Sequence, residues 1–229
     1  MGYIDIHSHV LFGVDDGAKN LEMSLRMIQK AYEEGIRVQY ATPHFSLGKR
    51  SASKEKIMDK FGQLRRAVQE QYPDYELYLG SELYYEEGVV DALKDGRALT
   101  MNNTRYVLVE FAFGGSFEFM YRGLRDLTMA RYKPILAHVE RYNCLFGQWQ
   151  RMYELKELGV LFQLNTENFK TNILSKQYRN AFKLINRDLV DFVATDAHDD
   201  VVRTPDMRNA MEIIVRKCGD GMTLNKIIF

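Results

Sequence analysis

Thiols are scarce in this chain: Cys144 and Cys218 are the only two among 229 residues. That is too few for a disulfide framework and points to a reducing compartment. Neither sign of charge is in excess, since Lys plus Arg and Asp plus Glu each total 31. A nucleic-acid or anionic-membrane partner would draw on a basic surplus, so neither is expected. No apolar run is long enough to cross a bilayer. The first residues also lack the basic stretch, apolar run and small-residue cleavage site of a signal peptide, and the expected location is the cytoplasm. No Gly-rich phosphate loop, Gly-x-Ser-x-Gly elbow or dinucleotide fingerprint occurs. Cys144 and Arg151 have six residues between them, the wrong spacing for a cysteine-phosphatase loop. Cys144 reads as a small buried hydrophobe.

What the chain does contain is a regular alternation. Strand-like apolar runs end at His7 and His9, at His44, near Glu82, at Glu110, at His138, at Asn165, and at Asp196 and His198. Helical spacing of apolar residues follows each of them: 21–35, 55–71, 88–93, 118–131, 149–158, 176–185 and 205–217. Asn20 suits an N-cap and Gly35 a C-cap for the first helix. No linker, low-complexity tract or repeat divides the sequence, so one domain over 1–229 is expected. Seven strands alternating with seven helices predict a parallel sheet. A barrel is favoured over an open doubly wound sheet because chemistry-bearing residues follow every strand and not one crevice.

All five histidines, His7, His9, His44, His138 and His198, fall at predicted strand ends. Asp16, Glu82, Glu110 and Asp196 join them at equivalent places. Strand alternation puts Asp5, His7 and His9 on one face, with Ile4 and Ile6 packing under helices on the other. It likewise pairs Asp196 with His198, and His138 with Glu140. Imidazole and carboxylate donors without thiolate suit Zn, Mn or Fe. Nine donors exceed what one ion takes and imply two or three ions, of which three would bring about six positive charges against four carboxylates. Such a site favours an anionic substrate, and hydrolysis of a phosphate ester fits best. Arg141 and Arg203 add planar, bidentate donors for phosphate oxygens.

In order along the chain stand Asp5-Ile6-His7-Ser8-His9, Val14-Asp15-Asp16-Gly17, Thr42-Pro43-His44, Gly80-Ser81-Glu82, Val109-Glu110-Phe111, Ala137-His138-Val139-Glu140-Arg141-Tyr142 and Thr195-Asp196-Ala197-His198. Together they resemble the bacterial tyrosine phosphatases of the polymerase and histidinol phosphatase (PHP) superfamily, encoded with capsule and exopolysaccharide genes. The resemblance implies a distorted seven-stranded (β/α)7 TIM-like barrel with three divalent ions, most often manganese. It implies metal ligands at His7, His9, Asp16, His44, Glu82, Glu110, His138, Asp196 and His198, and phosphate-binding roles for Arg141 and Arg203. The implied substrate is the tyrosine-rich tail of a partner tyrosine kinase that controls polysaccharide export. Val139, Ala112 and Asp199 depart from the usual residues of these motifs, whereas no ligand position is lost.

The expected chemistry is direct attack by a hydroxide bridging the ions, with Asp5 orienting a ligand histidine from behind. The basic loop 49–54 is a candidate receiver of an acidic phosphopeptide. Phe111, Phe113, Phe117, Phe119 and Tyr121 are candidate walls for a phenyl ring. Competing functions are a PHP phosphatase for a small monoester such as histidinol phosphate, and a catalytically silent metal-binding partner module.

Overall fold

The computed structural model describes residues 2–48, 51–170 and 174–218. The expected alternation is present. β1 (Tyr3–Ser8) leads into α1 (Leu21–Glu33), and β2 (Ile36–Ala41) and β3 (His44–Phe45) into α2 (Lys54–Gln71). β4 (Glu76–Leu79) and β5 (Glu82–Tyr84) precede α3 (Val89–Lys94), and β6 (Tyr106–Glu110) precedes α4 (Phe117–Met129). β7 (Lys133–Leu136), β8 (Leu161–Asn165) and β9 (Phe192–Ala194) are followed by α5 (Trp149–Glu157), α6 (Lys176–Ile185) and α7 (Arg208–Cys218). No helix among the described residues is long and apolar enough to cross a membrane.

Local chemistry fixes the helix ends. Side chains of Asn20, Ser53, Ser116 and Ser175 accept the backbone N–H three residues on, each satisfying a donor the helix cannot. Gly35 follows α1 at φ 91°, a conformation that favours glycine. α7 starts at Arg208, three residues later than apolar spacing suggests. Its first N–H groups are capped from outside the segment: Glu34 accepts from Met207 N at 3.2 Å and Arg208 N at 2.9 Å.

Every ladder is parallel, in the orders β1-β2-β4 and β3-β5-β6-β7-β8-β9. Seven strands were expected. Nine strand segments occur among the described residues, because two predicted strands each break into two. Thr42-Pro43 separates β2 from β3, where proline offers no N–H, and Gly80-Ser81 separates β4 from β5. Bonds from Gly80 N to Ala41 O (2.9 Å) and Glu82 N to Pro43 O (3.1 Å) hold the strands together across the breaks. The ends of the series meet through one parallel bridge between Ser8 and Ala197, with His9 N donating to Ala197 O at 2.8 Å. The fold is therefore a barrel-like α/β arrangement without a continuously paired closed ladder.

Two apolar layers support it. The larger packs helices against the outer faces of the strands, from Met27, Ile28 and Leu64 to Val109 and Leu164. The smaller holds Ile6, Tyr40, Met101, Leu108, Ile135, Ala137, Phe192 and Ala194, with no member from any α-helix. It fills the concave side of the sheet and forms the floor on which the strand ends stand. Ile6 belongs to this inner floor, not under helices as expected. Ile4 packs against the same layer, so the two share a face as alternation requires, and that face is the inner one. A register irregularity between Asp5 and Ser8 interrupts the period of two just beyond. Ile6 reaches Phe192's layer, while the ring of His7 reaches Gln163, which pairs with Phe192.

Candidate metal centre

The nine predicted donors converge at one end of the strands. Glu82, 1% exposed, stands at the centre and touches four imidazoles. Its Oε2 lies 3.3 Å from His7 Nε2, 3.3 Å from His9 Nε2 and 3.0 Å from His44 Nδ1, and its Oε1 lies 2.9 Å from His138 Nε2. Glu110 reaches His138 at 3.5 Å and His44 at 3.7 Å. Asp16 sits 3.4 Å from His44 and 3.6 Å from His198. Asp196 Oδ1 faces His7 at 3.4 Å, His9 at 3.5 Å and His198 at 3.5 Å.

Among the described residues, three groups have donor atoms within 4.8 Å of one another: His9, Asp16, His44 and His198; His7, His9 and Glu82; and His44, Glu82 and Glu110. His138 and Asp196 border these groups without completing one. The donors fit divalent cations. Nε2 of His7 and Nε2 of His9 face each other at 3.3 Å, close enough for one cation to take both. The set contains imidazole and carboxylate and no thiolate, as open catalytic sites of borderline metals use.

Burial and pairing set the protonation states. Burial opposes charge on His9, but Asp15, Asp196 and Glu82 outweigh it and hold the imidazole well above its usual value. His138 is pushed up to about 9, because Glu110 and Glu82 overcome its burial. Burial would raise Glu82, yet His7, His138 and His44 keep it well below the usual carboxylate range. Asp196 is likewise held far down against its burial, chiefly by His7 and His9. His198 goes the other way, to about 4, through burial and the neighbouring His9. It therefore offers a bare nitrogen at neutral pH.

Local backbone devices aim these groups. His138 (φ 35°) and Asp196 (φ 51°) are both left-handed, so the chain turns just beyond β7 and β9. Asp196 and His198 do meet, through that turn and not through strand alternation. Alternation fails for Glu140, which lies in the 3-10 turn Val139–Arg141 and accepts from Asn168 Nδ2 at 2.8 Å. In Val14-Asp15-Asp16-Gly17 the chain passes under His9, and a Cβ on Gly17 would lie 2.1 Å from the His9 carbonyl oxygen. Only glycine fits that approach.

Both predicted arginines are at the mouth. Arg203 Nη2 lies 2.9 Å, and Arg141 Nη1 3.5 Å, from Asp196 Oδ2. Arg141 also reaches Glu167 at 3.1 Å. Asp199 accepts from the backbone N–H of Val201, Val202 and Arg203, a turn that holds Arg203 over the cluster. Of the aromatic series, Phe111 is buried, stacked on Tyr85. Phe117 packs on Tyr121 and Phe119 on Phe111. Phe113 is 42% exposed, with its ring edge-on to His138 at 5.3 Å. A cavity of about 280 Å³ is lined by Phe113, Arg141, Arg203 and the cluster. It adjoins a groove of about 780 Å³ past His44, Phe45 and Tyr84.

Some expectations fail or move. Asp5 meets His7 through the backbone N–H (3.4 Å) and otherwise holds Thr195 and Gln39, so it braces the strand before Asp196. In the loop 49–54, Lys49 and Arg50 lie outside the described residues, while Lys54 is tied to Gly96 O at 2.8 Å. Cys144 is half-buried, and burial raises its thiol. Residues behind the cluster were missed. Asp15 accepts from His44 N at 3.1 Å and contacts His9 Nδ1 at 2.7 Å. Gln163 and Asn165 lie beneath His7 and Asp196. Their signal was available: two amides alternate with apolar residues in Leu161-Phe162-Gln163-Leu164-Asn165.

Known proteins resemble this chain over most of its length. The family model "Capsular polysaccharide synthesis, CpsB/CapC" matches residues 3–229. Tyrosine-protein phosphatase CpsB of Streptococcus agalactiae serotype V is 34% identical over 221 residues, covering 94% of this chain and 91% of that protein. Tyrosine-protein phosphatase YwqE of Bacillus subtilis is 31% identical, covering 96% and 86%. A solved structure from work on YwqE of Bacillus subtilis and CpsB of Streptococcus pneumoniae, described as "unique metal-dependent tyrosine phosphatases", superposes with a TM-score of 0.88. It is 27% identical, covering 96% of this chain and 89% of that one. The chain belongs to the CpsB/CapC family of capsular polysaccharide synthesis.

Proposed function

We propose that this protein is a metal-dependent protein-tyrosine phosphatase, a single catalytic domain over residues 1–229. The observation that carries this is the convergence of five imidazoles and four carboxylates beneath two guanidiniums, in a chain whose relatives are named tyrosine phosphatases. His7, His9, Asp16, His44, Glu82, Glu110, His138, Asp196 and His198 hold the ions. Their number suits three, with manganese first and zinc or iron as alternatives. The bound ions supply water acidified toward neutral pH and positive charge for phosphate oxygens.

The chain's own residues do the rest. Arg141 and Arg203 take two phosphate oxygens and orient the ester over the cluster. Both already meet at Asp196 Oδ2, so the carboxylate holds them ready without burying them. Phe113 offers an apolar edge to the leaving aryl group. A phenol with pKa of about 10 departs as the anion far more readily than an alkyl alcohol, so a strong general acid is not required. The physiological substrate we propose is the phosphotyrosine tail of a cytoplasmic tyrosine kinase domain that governs polysaccharide export.

The test is turnover of a phosphotyrosine peptide by the purified, manganese-supplemented protein, beside phosphoserine peptide and histidinol phosphate. Preference for phosphotyrosine, lost on chelation and restored by manganese, is expected. Preference for histidinol phosphate would move the function to the small-monoester branch, and no turnover of any ester would leave a silent binding module.

A further inference from the structure

We propose that Gln163 and Asn165 are positioning residues that fix which nitrogen of His7 faces the cluster, and tie that ring to Asp196. The geometry stands without any metal; its functional consequence rests on the metal-dependent function proposed above. All four side chains are buried, with His7 and Gln163 at 0%, Asn165 at 1% and Asp196 at 3% exposure. Misdirected donors or acceptors there have no water to fall back on.

The hydrogen bonds form one chain whose two ends have fixed polarity. At the first end the backbone N–H of His138 lies 2.9 Å from Gln163 Oε1. A backbone N–H can only donate, so the amide oxygen, not its NH2, must face it. At the second end Asp196 Oδ2 also accepts from Arg203, and Asn165 Nδ2 donates to it at 2.8 Å. That leaves Asn165 Oδ1 as an acceptor for Gln163 Nε2, 2.7 Å away. The two ends thus agree independently on the orientation of Gln163. Its Oε1 also lies 3.0 Å from His7 Nδ1, and an oxygen can be met there only by N–H. His7 is therefore protonated on Nδ1. In the neutral ring its bare Nε2 points at Glu82 Oε2 (3.3 Å) and Asp196 Oδ1 (3.4 Å).

One amide oxygen thus sets both the tautomer of His7 and the position of the His138 turn. The same amide's NH2 passes its orientation through Asn165 to Asp196, the residue both arginines touch. Ligand imidazoles are commonly held in this way by a partner on the far nitrogen; here the partner is a neutral glutamine shared by two histidine-bearing strand ends.

Long-range ¹H–¹⁵N spectra of the metal-free wild-type protein, at a pH where the ring is neutral, should show His7 protonated on Nδ1. Its signals are identified by their loss in His7→Gln. A ring protonated on Nε2 overturns the proposal whatever the variants do. Gln163→Met keeps length and volume but removes all three hydrogen bonds, and manganese affinity by chelator competition should fall roughly 10- to 100-fold. Gln163→Glu retains the acceptor for His7 and His138 but sets oxygen against oxygen at Asn165, so it should keep the Nδ1–H signature with an intermediate loss. Affinity within about two-fold of wild type in a folded Gln163→Met overturns the positioning role. Should that variant not fold, the wild-type spectrum and Gln163→Glu still decide. A wild-type protein that binds no divalent cation, yet shows the Nδ1–H ring, would sink the metal-dependent function and leave this assignment standing.

Discussion

The two halves of the same strands are built on opposite principles. Their inner floor is Ile6, Tyr40, Leu108, Ile135 and Phe192, held by apolar contact. A few residues further along the same strands stand His7, Glu82, Glu110, His138 and Asp196, held by directed bonds between groups of opposite charge. Burial of apolar area is non-directional, so the floor tolerates exchange of one hydrophobe for another of similar volume. The polar layer tolerates far less, because its imidazoles and carboxylates are paired with one another and loss of one leaves another unpaired. Stability should therefore reside in the floor and activity in the layer above it.

The sharpest way to break that comparison is to exchange the effects. Ile135→Ala opens a cavity in the floor and should destabilise the fold by about 2–5 kcal/mol, read by denaturant unfolding. The surviving folded protein should retain turnover within a few-fold. Loss of activity with stability intact would show the two layers are not separable. The converse is Arg141→Ala or His44→Ala, each expected to lower p-nitrophenyl phosphate turnover by about 100- to 1,000-fold. Arg141 is partly exposed and belongs to no apolar cluster, so its removal should leave the melting temperature close to wild type. Near-normal turnover in either variant would count heavily against the proposed site.

Phe113 sharpens the boundary between the layers. It is apolar but exposed at the mouth, so Phe113→Ala should leave stability unchanged. KM for an aryl phosphate should rise by up to about ten-fold, the scale of one aromatic contact. An equal effect on an alkyl phosphate would assign it to packing instead. The smallest effect concerns pH. His138, raised to about 9 against an ordinary 6.5, contributes stability that is full below about 6.5 and disappears as pH climbs through about 9. His9, raised in the same direction, adds to it. The metal-free protein should thus melt at a lower temperature at pH 9.5 than at pH 6.5, and a flat profile there would contradict the pairing described.

Much of the site was legible because donors recur at one kind of place. His44, His138 and His198 each end an apolar run, and a parallel sheet brings such ends to one rim. The Asn20 and Gly35 boundaries of α1 were legible for the same local reason. Position within the rim was not. Alternation put Ile4 and Ile6 on one face but did not say which face is the inner one, and folding turned it toward the floor; alternation paired His138 with Glu140, and a left-handed turn parted them. Gln163 looked like an ordinary strand amide until folding set it between His7 and His138, residues far away in the chain.

The sequence by itself determined which chemistry this protein has at its disposal: alternation of strands and helices, nine nitrogen and oxygen donors at strand ends, two arginines beside them. These follow from periodicity and residue type, which act over a few residues. Tertiary structure alone decided how the donors group, which carboxylate lies at the centre, and which nitrogen of His7 looks inward. Those depend on register, on two left-handed residues and on bonds between segments more than a hundred residues apart, where ångström distances and the cost of an unpaired buried group choose one arrangement.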